Sequence, residues 1–209
     1  MVKKFLYFIL ITVLISSCKD RNQDLKYIYN ANPDYTWGYA QFYGAYYSDY
    51  DVNKNVVTLS LFSDSLKIDD EGSLAGHGQY LYLEDVFSAP SDTILPEGTY
   101  KVDTIRNPFT IAKGEELDID GNNYSVGAFI YYIEKNAAFS VMKYIVRGNL
   151  TLSYSGTKTS VVCDFVLSDS TILKGEFKTR TLPYIDESVS YPAGMARKKL
   201  KLKNPVYPN

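Results

Sequence analysis

From Trp37 onward the chain runs in short stretches of β-branched and aromatic residues that alternate with a period of two, separated by Gly, Asn, Asp and Ser. Successive side chains of a strand point to opposite faces, so this period predicts strands. No ten-residue stretch carries the 3.6 period of an amphipathic helix. The candidate strands are residues 37–47, 56–62, 79–87, 98–105, 124–133, 139–154 (divisible at Gly148), 159–167 and 172–178. Turn-forming clusters fall between them at Asn53-Lys54-Asn55, Asp69-Asp70-Glu71-Gly72, Asp120-Gly121-Asn122-Asn123, Ser155-Gly156 and Ser168-Asp169-Ser170.

Such spacing predicts an all-β fold, an antiparallel β-sandwich, with a β-barrel of the calycin kind as the alternative. Lipocalin-like barrels usually carry Gly-x-Trp near the first strand, whereas here Tyr35 stands two residues before Trp37. A weak internal likeness favours two related meanders. Ser91-Asp92-Thr93-Ile94-Leu95 followed by Gly98-Thr99-Tyr100-Lys101 parallels Ser168-Asp169-Ser170-Thr171-Ile172-Leu173 followed by Gly175-Glu176-Phe177-Lys178. In residues 159–167, Val161, Cys163, Phe165 and Leu167 share one face, which makes Cys163 a small core residue.

The first residues have a different character. Lys3 and Lys4 precede an apolar run, residues 5–15, that is too short to span a bilayer, and Ser16-Ser17 supply small residues before Cys18. This is the pattern of a secretory signal peptide over residues 1–17. Ile15-Ser16-Ser17-Cys18 resembles a bacterial lipobox, with Ile15 where Leu is more usual. The resemblance implies that Cys18 becomes the mature N-terminus and carries acyl chains, at ~0.8 kcal/mol of anchoring per buried methylene. Residues 18–36 then read as a polar, lipid-anchored tether and 37–209 as one β domain. With Cys18 lipidated, only Cys163 remains, so packing rather than a disulfide must hold the domain.

Lys19-Asp20 after the cysteine partly resembles the export signals of surface lipoproteins of Bacteroidetes. Leu95-Pro96-Glu97-Gly98-Thr99-Tyr100 and the run from Gly148 through Gly156 to Phe177 are similar to patterns in Bacteroidetes lipoproteins with β-sandwich domains of unknown function. The resemblance implies an outer-membrane protein, at the cell surface or facing the periplasm. It carries no functional residues over.

With 22 basic and 24 acidic residues, the chain lacks the positive field that nucleic acid attracts, and no nucleic-acid partner is expected. His77 is the sole histidine, set between glycines, which disfavours a His-dependent triad or a multi-histidine metal centre. Asp118-Ile119-Asp120-Gly121-Asn122 has its glycine too early for an EF-hand and reads as a turn. Glu84-Asp85 and Glu115-Glu116 are adjacent pairs, which in a regular strand point to opposite faces. No cofactor, metal or catalytic set is expected.

Aromatic load is where the composition becomes informative: 20 Tyr and 10 Phe. Tyr35, Trp37, Tyr39, Tyr43 and Tyr47 would share one face of the first long strand, as a ring-stacking surface for sugars or as inter-sheet packing. Arg197-Lys198-Lys199-Leu200-Lys201-Leu202-Lys203 reads as a lysine-protected edge strand or a solvated tail. The leading expectation is a lipid-anchored envelope domain that binds a glycan or another envelope component without catalysis. The alternatives are a structural or assembly component of the envelope or an appendage, and, behind it, a hydrolase or a lipid-holding barrel.

Overall fold

A computed structural model describes residues 29–206 except 64, 136–138 and 194. The expected signal peptide, Cys18 and the first part of the expected tether lie outside the described residues. The chain is all-β, as expected. Its strands are β1 (Tyr35–Gly44), β2 (Asn55–Ser63), β3 (Lys67–Ile68), β4 (Leu74–Ala75), β5 (Gly78–Ser88), β6 (Gly98–Asp103), β7 (Thr110–Ala112) and β8 (Glu115–Ile119). There follow β9 (Asn122–Val126), β10 (Ala128–Ile133), β11 (Ser140–Ser155), β12 (Lys158–Leu167), β13 (Ile172–Leu173), β14 (Glu176–Arg180) and β15 (Tyr184–Asp186). No helix among the described residues is long and apolar enough to cross a membrane.

The strands β5, β7, β6, β11 and β10 pair in a closed ring, with β2, β1 and β15 continuing outward from β5, and β12, β13 and β14 from β11. The ring is a closed five-strand barrel that the outer strands extend on both sides, an all-β arrangement consistent with a sandwich or a barrel. Pairing is antiparallel except at β1–β15 and β6–β7. The two segments that resemble each other in sequence take different places. After β5 the chain crosses to pair β6 with β11, whereas β13 and β14 return onto β12.

The ring interior and the layers beside it are filled by side chains, among them Leu59, Leu61, Leu81, Leu83, Ile130, Ile145, Leu150, Phe165 and Phe177, all at most 1 % exposed. Cys163 belongs to this core, and burial pushes its thiol well up. A thiol held there is not a nucleophile.

The sequence leaves β11 divisible at Gly148. It instead runs unbroken through sixteen residues. Its first part pairs with β10 and its later part with β6 and β12, and Val146 is the extra residue of a bulge against β12. Gly148 has φ +120°, and a Cβ there would sit 2.2 Å from the Asp164 carbonyl oxygen. Only glycine takes that backbone angle at so close an approach of the neighbouring strand.

The tether ends earlier than the polar composition indicated. Ala31 and Pro33 carbonyls accept from the Lys174 and Glu176 amides, and Tyr35 is wholly buried, so residues 29–36 are part of the domain.

Candidate functional site

Every described residue of β2 and β5 is buried, so these two strands of the sheet β1-β2-β5-β10 are covered on both faces. One face meets the ring core. The other is aromatic, and its rings fall in register across neighbouring strands. One rung runs Trp37, Phe62, Tyr80, Tyr131 and Met142, and the next runs Tyr39, Ser60, Tyr82, Phe129 and Tyr144, from β1 to β11. Trp37 stacks on Phe62 with centroids 3.9 Å apart, and Phe62 on Tyr80 at 4.6 Å. Cross-strand aromatic pairs of this kind contribute about 0.5–1.5 kcal/mol each beyond their burial.

The five aromatic residues expected on one face are divided by two bulges. Thr36 is extra between Tyr35 and Trp37, which turns Tyr35 into the ring core. Trp37 and Tyr39 remain on the aromatic face. Tyr43 is the extra residue of the second bulge and joins Val56 and Phe87 in a separate cluster. Tyr47 lies beyond the strand, at the cap of a 3₁₀ turn.

The C-terminal segment is neither an edge strand of the main sheet nor a free tail. It lies across the aromatic face, with Leu200 and Leu202 packed on the rings. Lys201 bridges to Ser73, the Tyr131 hydroxyl donates to the Lys203 carbonyl at 2.9 Å, and Val206 pairs with Ser140. Leucines alternating with lysines fit this placement, since alternate residues of an extended segment face the sheet and solvent.

What fixes the segment is Arg197. Thr58 on β2 opposes both Glu84 and Asp85 on β5, a bulge that also explains why Leu83 and Val86 both face the core. The two carboxylates between them therefore share the aromatic face, contrary to the opposite-face expectation for neighbours in a strand. The Arg197 guanidinium, with its side chain 5 % exposed, donates to Asp85 Oδ1 at 2.6 Å and to the Glu84 carbonyl at 3.0 Å. Tyr47 donates to Asp85 Oδ2 at 2.7 Å, Lys199 Nζ lies 2.6 Å from Glu84 Oε1, and the Gly127 amide donates to Glu84 Oε2 at 2.8 Å. Burial pulls the Arg197 pKa down, but Asp85, Tyr47 and Glu84 outweigh it and raise it, so the guanidinium stays charged. Burial and then Asp85 push the Tyr47 phenol up, so it stays a donor.

Among the clefts beside the segment, two are floored by Tyr80 and Tyr82 and walled by Lys199 and Leu200. The larger, about 410 Å³, continues over Phe129 and Met142 to Tyr144, with Glu116, Asn123, Lys203 and Asn204 on its walls. The smaller, about 210 Å³, reaches Tyr39 and Gln41. A third cleft, about 440 Å³, opens beside the buried ion cluster between Tyr46, Tyr47, Tyr50 and Arg106. The outer wall of the 410 Å³ cleft is the β8–β9 hairpin, turned by Asp120 (φ 54°) and Gly121 (φ 78°). These are the left-handed angles of a tight Asp-Gly turn, and Asp118 accepts the Gly121 amide within it.

Of the expected ligand-binding residues, Tyr39 and Tyr47 line clefts, Trp37 serves the ring stack, Tyr35 is core and Tyr43 packs beneath Arg197. Tyr80, Tyr82, Tyr144 and Arg197 were missed. One signal was present: two consecutive carboxylates inside the apolar run Tyr80–Phe87 require both a bulge and a buried cation. No family model matches the chain, and no curated protein or solved structure matches it.

Proposed function

We propose that the protein is a lipid-anchored domain of the cell envelope that binds a glycan in the cleft between the C-terminal segment and the β8–β9 hairpin, without catalysis. The observation that carries this reading is a cleft in which the half-buried Tyr144 ring, beside the buried rings of Tyr80, Tyr82 and Phe129, faces carboxylate, amide and amine groups. Sugar rings present apolar C–H faces to aromatics and hydroxyls to such polar groups, and open clefts with a few convergent polar groups are the default ligand sites. The carboxylate pair in the sheet is held by Arg197 and Lys199, which gives it a structural role.

The test is titration of the full chain against a panel of oligosaccharides, with product analysis in the same tubes. A saturable complex weakened at least ten-fold by Tyr144→Ala, with every oligosaccharide recovered intact, supports the reading. Hydrolysis products, or binding indifferent to Tyr144, contradict it. For the anchor, Cys18→Ala is expected to move the protein out of the membrane fraction, and retention there would exclude lipidation at Cys18.

One observation favours a role in envelope assembly instead. The hairpin turns Leu117, Ile119 and Tyr124 to solvent, 38–52 % exposed, while Glu116, Asn123 and Ser125 face the cleft. An apolar stripe on a projecting ribbon is a surface for another protein. Leu117→Ser with Ile119→Ser would dissolve self-association or a co-purifying complex if that role holds, and would leave glycan titration unchanged if it does not.

A further inference from the structure

The third cleft contains a cation that the rest of the structure leaves unused. Arg197 is held by Asp85 and Glu84, and Lys199 by Glu84. Arg106, exposed after the end of β6, has no carboxylate within ion-pair distance among the described residues. Three cations thus meet two carboxylates at this place, and the positive charge in excess sits on Arg106.

Nor is Arg106 a side chain without orientation. Its guanidinium carbon lies 4.5 Å from the centroid of the Tyr47 ring, and Tyr47 is itself fixed by its hydrogen bond to Asp85. A guanidinium stacked on a ring keeps its in-plane N–H fork available, and that fork matches the two oxygens of a carboxylate or a sulfate. Next to it, Tyr50 sets its ring edge-on to Tyr47 at 6.5 Å and is 67 % exposed. An exposed aromatic face beside an oriented, unpaired guanidinium suits a ring that carries an anion.

We propose that this cleft is an anion-recognising subsite and that the glycan is acidic, a uronic-acid or sulfated sugar whose anionic group engages Arg106 while its ring lies on Tyr50. The assignment rests on the glycan reading above and narrows it to a chemical class. Lys199 borders this cleft and the two clefts over Tyr80 and Tyr82, so the anion subsite adjoins the cleft assigned to the glycan.

The experiment compares three probes on the full chain by calorimetric titration at low salt: a neutral cello-hexasaccharide, a galacturonate hexasaccharide and a heparin-derived hexasaccharide. At least one acidic probe is expected to bind ten-fold or more tightly than the neutral one and to weaken as salt rises. Arg106→Gln, at an exposed position whose folding is checked by thermal unfolding, is expected to erase that advantage and leave neutral binding unchanged. Which acidic probe wins distinguishes carboxylate from sulfate. If neutral and acidic probes bind alike, or Arg106→Gln leaves the acidic preference intact, the subsite is overturned while the glycan reading stands. If none of the three binds, both are overturned.

Discussion

Arg197 shows how one side chain determines what a whole segment does. Its guanidinium satisfies Asp85 and the Glu84 carbonyl, and its planar face lies over Tyr46 at 4.6 Å and Tyr43 at 5.1 Å. Removing it leaves two carboxylates in a buried place with only Lys199, Tyr47 and the Gly127 amide to meet them. Arg197→Ala is therefore expected to lower stability by about 3–5 kcal/mol, the range for breaking a buried ion pair from one side. Exposed Lys198 next to it should tolerate Ala within about 0.5 kcal/mol. Urea unfolding of the two variants checks this, and equal midpoints would contradict it. Tyr43 gives a pH dependence. Burial raises its phenol to about 12, with Arg197 pulling down and Glu187, Tyr191 and Tyr39 pushing up. The folded state thus holds the proton to higher pH than the unfolded chain, whose tyrosines titrate near 10. The stability contributed by the neutral phenol is complete below pH 10 and is lost as pH rises from 10 to about 12. Urea midpoints across that window should fall less steeply for Tyr43→Phe than for the parent chain.

At the level of the elements, bulges separate what the sequence pattern conveys from what it does not. Hydrophobic alternation located β2, β5, β6 and β12 to within one or two residues, because period-2 burial is a local property. It placed Tyr35, Trp37 and Tyr47 on one face because an extra residue at position 36 leaves no mark in the period and reverses every side chain beyond it. The same limitation hid the carboxylates: Glu84 and Asp85 act together only because Thr58 opposes them both. Short strands such as β7 and β15 escaped because three residues are too few to show a period. The burial of Arg197 escaped because a basic run looks solvated until its acidic partners, more than a hundred residues earlier, are brought beneath it. Gly148 tests the account of β11. With φ at +120° and a carbonyl oxygen where a Cβ would go, Gly148→Ala is expected to cost about 1–3 kcal/mol in backbone strain alone. A thermal midpoint unchanged in Gly148→Ala would mean that glycine is not required there.

Across the whole molecule, a five-strand ring supplies rigidity and an outward aromatic sheet supplies a surface that the chain's own C-terminal segment half covers. Deleting residues 195–209 should uncover the rungs from Trp37 to Met142 and from Tyr39 to Tyr144. The expected result is a chain that keeps its β circular-dichroism signature, binds a hydrophobic dye and unfolds at a lower temperature. Dye binding no greater than the parent's would show that the segment does not cover that face. Methionine placement allows the most direct test of the ligand site. The sequence has three, Met1, Met142 and Met195, of which Met142 lines the cleft beside the β8–β9 hairpin and Met195 immediately precedes Ala196 and Arg197 on the wall of the third. With ¹³C-labelled methionine methyls in the full chain, saturating acidic hexasaccharide should shift the Met142 resonance and, through the neighbouring Arg106 subsite, that of Met195. A Met142 methyl that stays in place while the saccharide binds would contradict the claim that this cleft is where the protein meets its ligand.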